Sequence, residues 1–128
     1  MFMALMLYLP DAAEPGRQLY KIVRRAAEKR KVELYRSIGE LSERPCRPVF
    51  DVNVVVLLAA DREDLLEITS LGDLLKDMRI ILVLPDHDRS TIAKGHLLRP
   101  RFMAWLDDDF AQVEIFLKKM ISLYDHPV

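Results

Sequence analysis

Aspartate is the residue through which this chain could do chemistry. Asp11, Asp61, Asp86 and the run Asp107 to Asp109 all follow apolar segments. Carboxylates gathered at one point could hold a divalent cation through oxygen, or one could attack a phosphoryl group. The candidate ligand or cation positions are Asp11, Asp61, Asp107 and Asp108. Aspartate has a competing local use, because it caps helices. "DRED" at 61 to 64 is nearly a capping box, with Asp64 where Glu or Gln is usual. Other chemistry finds little support. Cys46 stands alone between Pro45 and Pro48, without a CxxC partner. His87, His96 and His126 are too scattered for zinc-ligand spacing. His87, in "PDHD", reads as a loop residue near the same acids. There is no GxxxxGK[ST], GxGxxG or GxSxG segment. "LPDAAEPG" (9 to 16) offers little glycine or hydroxyl to cradle a flavin phosphate.

The elements that must position these acids alternate in type. Apolar "MALMLYL" (3 to 9) predicts a first strand. A helix follows, with Glu14, Pro15 and Gly16 in its opening and Leu19, Tyr20, Ile22, Val23, Ala26 and Ala27 on one face. "KVELYRS" (31 to 37) predicts a short edge strand, then a short helix from Ile38 to Glu43 that ends at "RPCRP" (44 to 48). "VNVVVLL" (52 to 58) predicts a central strand. Asp61 is expected to cap the helix after it, which Gly72 interrupts and "DLLKDM" (73 to 78) extends. "RIILVL" (79 to 84) predicts a fourth strand, with Asp88 or Ser90 capping a helix through Leu98. Gly95 weakens that helix by ~1 kcal/mol relative to alanine. The final pair is a strand over 101 to 106 and a helix to about Tyr124, led by Asp107 to Asp109.

Strand-then-helix therefore occurs five times. Strands one, three and four lack polar alternation, so both their faces are buried. That is the mark of a parallel sheet covered by helices on both sides, and right-handed crossovers make it doubly wound. One domain over residues 1 to 128 is expected, with 51% hydrophobic and 30% charged residues. The net charge of −1 gives no general field for nucleic acid or an anionic membrane. "KIVRRAAEKRK" (21 to 31) has no interleaved aromatics for base stacking and reads as a solvated helix face. The first nine residues lack a basic segment and a cleavage site, so they read as a strand and not a signal peptide. With one cysteine, no disulfide can form within the chain, and a cytoplasmic location is expected.

Five βα units resemble the receiver domain of two-component response regulators, the CheY-like branch of the flavodoxin-like fold. The resemblance covers nearly the whole chain and implies sheet order 2-1-3-4-5. Its best local match is "WLDDDFAQVEI" (105 to 115), where Trp105 falls on the family's switch aromatic and Phe110 on its phenylalanine. The catalytic positions depart from the family. Asp108 stands on the family's lysine, Leu9 and Pro10 on its acid pair, Leu58 to Ala60 on its phosphoacceptor, and Leu84-Pro85 on its Thr or Ser. Phosphotransfer needs a nucleophilic carboxylate, magnesium and a cation near the transferring group. Alanine supplies none of these. The resemblance is thus to a degenerate, or pseudo-, receiver.

The expected function is a non-enzymatic signalling or regulatory module acting through protein contacts. It has no cofactor, and its partner is another protein or a second copy bound through the last helix. In that helix Phe110, Val113, Leu117, Met120, Ile121 and Tyr124 form a core stripe. Phe116 and Leu123 widen the stripe along one flank and Ile115 lies on the opposite side. In receivers the face made by helix four, strand five and helix five is the usual contact surface. The candidate partner residues are Trp105, Ile115, Phe116, Lys119 and Leu123. The alternatives are an atypical receiver or small-ligand sensor holding a cation such as magnesium among the acids, with Asp61 as a shifted acceptor, and a small α/β enzyme of unrecognised type.

Overall fold

A computed structural model describes residues 3–11, 13–43 and 52–124. Five strands form one parallel sheet: β1 (Met3–Tyr8), β2 (Val32–Tyr35), β3 (Val52–Leu58), β4 (Arg79–Leu84) and β5 (Phe102–Trp105). Their order is β2-β1-β3-β4-β5. This is the flavodoxin-like three-layer α/β/α arrangement that the strand-helix alternation predicts. The described helices are α1 (Ala13–Ala27), α2 (Ile38–Ser42), α3 (Arg62–Thr69), α4 (Gly72–Leu75), α5 (Arg89–His96) and α6 (Ala111–Tyr124). None is long and apolar enough to cross a membrane.

The strand sequences explain the layers. Side chains alternate between faces along a strand, and on the central strands both sets are apolar. Leu5, Leu7, Val54, Val56, Leu58, Ile81 and Val83 pack under α1 and α6. Met6, Tyr8, Val55, Leu57, Ile80, Leu82 and Leu84 pack against the helices on the other face. Val54 to Ala59 are all fully buried, and each valine or leucine contributes about 1.5–3 kcal/mol relative to an exposed one. The edge strands differ. All four residues of β2 are only partly buried, and both β2 and β5 are four residues long.

The helices that cover the sheet follow the same logic. On α1, Leu19, Ile22, Val23, Ala26 and Ala27 are buried at i, i+3, i+4, i+7 and i+8, while Lys21, Arg24 and Arg25 face solvent. The helix ends where Glu28 turns to φ 56° and its N–H donates to the Arg24 carbonyl at 3.1 Å. On α6, Val113, Leu117, Met120 and Ile121 are buried, and so is Phe110 just before it. The side chain of Tyr124 lies outside the described set, as do "RPCRP", Cys46 and His126. Arg25 joins the two helices through paired bonds to Glu114, Nε to Oε2 at 2.6 Å and Nη2 to Oε1 at 2.9 Å.

Candidate functional site

The carboxyl edge of the sheet is where ligands usually bind in this architecture. The tip of β3 there is closed. Ala59 is fully buried, and its N–H extends the ladder to the Val83 carbonyl at 2.9 Å. The next amide, Ala60 N–H, donates to Asp64 Oδ2 at 3.1 Å. A methyl group and two satisfied amides thus occupy the tip of β3.

Most acids of this edge have local duties. Asp61 is the N-cap of α3, its Oδ1 accepting from Asp64 N–H at 2.8 Å. Asp64 reaches back to Ala60, one residue further than a capping box requires. Asp88 caps α5, accepting from Ser90 N–H at 3.4 Å, and Asp109 accepts from Ala111 N–H at 3.0 Å. Asp108 is exposed, and its own N–H closes a turn onto the Trp105 carbonyl. Asp11 is exposed on the β2 side of β1. Asp107 meets His87, whose Nε2 is 3.1 Å from Oδ1. Asp11 thus lies on the β2 side of β1 and Asp61 at the tip of β3, while Asp107 and Asp108 are neighbours after β5. Among the described residues no group of three or more His, Cys, Asp and Glu is placed to hold a metal ion.

Arg62 organises the centre of the edge. Its Nε donates to Asp86 Oδ2 and its Nη2 to Asp88 Oδ2, each at 2.9 Å. The Arg62 hydrogen bond, with help from the Asp88 N–H, lowers the Asp86 carboxyl to about 2. Asp64 is shifted the other way, because burial disfavours its charge. Beneath it, burial and then the Asp64 charge push the Tyr8 phenol up to about 12. An edge whose acids are bridged or capped in this way holds itself together better than it offers free oxygens to a cation.

Arg62 was not among the residues singled out from sequence, and Asp86, counted there among the acids that follow strands, was not one of the four candidate positions. The signal for Arg62 was its place inside "DRED", where a cation directly after a cap looks outward toward the next loop. His87 was read as a plain loop residue. It stacks on Trp105, with ring centroids 4.7 Å apart and planes 11° apart. Trp105 itself packs with the layer opposite α6, so the structure separates it from the other partner-surface candidates. Those do come together. Ile115 and Leu123 are 47% and 60% exposed, with exposed Lys119 midway between them. Phe116 beside them is half-buried and stacks on Phe102 of β5 at 5.1 Å. Comparison of the chain with protein-family models, curated proteins and solved structures finds no match.

Proposed function

We propose that the chain is a non-catalytic regulatory module of pseudo-receiver type that works through protein contact. The observation that carries this reading is the closed tip of β3, where Ala59 and Ala60 leave no nucleophile and no free amide. Acyl phosphate chemistry would need a carboxylate at that point. The contact face is the α6 ridge of Ile115, Lys119 and Leu123, spaced i, i+4 and i+8, with Phe116 along its side. An antiparallel pairing of two copies about the middle of this ridge would set Lys119 against Lys119. Like charges in register disfavour that arrangement. The ridge better suits a different protein that offers apolar side chains around an acid.

The test is an amide NMR titration with magnesium and then with beryllofluoride as a phosphoryl mimic. A flat response at millimolar magnesium, with the mimic also silent, is the expected result. Saturable shifts confined to Asp61, Asp86 and Asp107 would replace this reading with a cation-sensing one. Sedimentation of the wild type and of Ile115→Glu/Leu123→Glu addresses the partner. Both are expected to be monomers. A dimer lost in the variant would make a second copy the partner.

A further inference from the structure

A cleft of about 330 Å³ opens between the start of α1 and the end of β2. It lies on the β2 side of β1, away from the crevice between β1 and β3 where the strand order reverses. Buried Leu9 and half-buried Pro10 line it, together with Tyr20, which is 40% exposed. Three cations converge there. Arg17 and Lys21 are one helical turn apart on α1, and Arg36 faces them from the residue after β2. Lys21 and the Arg36 side chain form no ion pair among the described residues. Arg17 has only a 3.4 Å contact with Glu14 between two well-exposed side chains, which holds it loosely.

Charge and size narrow the ligand. Asp11 is the one acid on the lining, so three cations less one anion leave a charge of +2. A phosphomonoester carries about −1.5 to −2 at neutral pH. Two guanidinium forks suit phosphate oxygens, and a lysine adds a third donor group. The volume is at the small end of the ~300–1,000 Å³ range of ligand pockets. A second cationic cleft gives an internal contrast. At the amino edge of the sheet, Lys76, Arg99 and Arg101 line about 400 Å³, but no aromatic residue joins them. Both clefts attract anions, and only the first adds the face of a tyrosine.

We propose that the cleft beside α1 binds a small phosphomonoester carrying an aromatic ring, with Arg17, Lys21 and Arg36 on the phosphate and Tyr20 against the ring. This goes beyond the protein-contact reading and does not rest on it. The test is an amide NMR titration of the full chain at low ionic strength with phenyl phosphate, with phenol and inorganic phosphate as separate arms. Saturable shifts from phenyl phosphate are expected at residues 13–21 and around Arg36, with phosphate weaker and phenol weakest. Lys21→Ala/Arg36→Ala should weaken phenyl phosphate at least about tenfold. Tyr20→Leu should weaken phenyl phosphate and leave inorganic phosphate unchanged. Arg24→Ala, on the same helix outside the cleft, should change neither. All four substituted positions are exposed, and circular dichroism would verify the fold. Absence of saturation at millimolar phenyl phosphate, shifts of equal size at residues 97–101, or an unchanged affinity in the double variant would overturn the proposal.

Discussion

The carboxyl groups of this protein illustrate how neighbours decide what an acid does. Asp61 accepts a backbone N–H at the start of α3, and Asp61→Ala should lower stability by about 0.5–2 kcal/mol, read from the urea midpoint. Asp64 is partly desolvated and shifted upward. Asp64→Asn keeps an oxygen for Ala60 N–H while removing a disfavoured charge, so stability at neutral pH should hold or rise. Acid titration of stability should report Asp86. Its folded value near 2 lies below the ordinary 3.8, so its contribution is present above about 3.8 and is lost as pH falls toward 2. Asp86→Asn should remove that loss. Tyr8 has the opposite sign. Its folded value is raised from 10.0 to about 12, so the buried phenol favours the fold below pH 10 and ceases to as pH climbs through 12. Tyr8→Phe should flatten this alkaline arm.

Among the elements, the helix ends and their fit to the sheet carry measurable strain. Glu28 holds φ 56° at the end of α1, and Glu28→Gly should raise stability by about 0.5–1 kcal/mol. Gly95 lets α5 lie close to the sheet. A Cβ there would stand 3.0 Å from Met103 Cε, 3.1 Å from Leu84 Cδ2 and 3.2 Å from Leu82 Cδ2. In Gly95→Ala the helix gain of ~1 kcal/mol is set against that crowding. Gly95→Val overfills the space and should cost about 1–3 kcal/mol, read from the urea midpoint. The composition pattern reads Gly95 only as a weak helix residue, and the packing supplies its reason. Strands β3 and β4 were legible to the residue, 52 to 58 and 79 to 84, because burial on both faces demands apolar runs, here Val54 to Leu58 and Ile80 to Leu84. The last strand is shorter than the expected 101 to 106. Arg101 and Leu106 only flank it, each donating one N–H to β4. Caps at Asp61 and Asp88 were legible because their partners are two or three residues away. Arg62 meeting acids 24 and 26 positions on, His87 stacking on Trp105, and Arg36 facing Lys21 were not. Such pairs are set by how crossovers return the chain to one edge, and no local spacing encodes them.

At the scale of the whole molecule, the sheet divides into a buried centre and two thin margins. Hydrogen exchange should follow that division, with the amides of β1, β3 and β4 slowest and those of β2 and β5 faster. Uniform protection across all five strands would contradict it. The α1–α6 layer carries both proposed surfaces, the cationic cleft at one end of α1 and the apolar ridge along α6. The Arg25–Glu114 pair ties those helices together. The four-residue margins have a different meaning. An incoming strand from another molecule would find too few free backbone groups to extend the sheet. The continuous valine and leucine run of β3, a composition that favours fibril formation when exposed, is sealed between β1 and β4. Aggregation of this protein should therefore require global unfolding first, and at fixed protein concentration its rate should rise with the unfolded fraction.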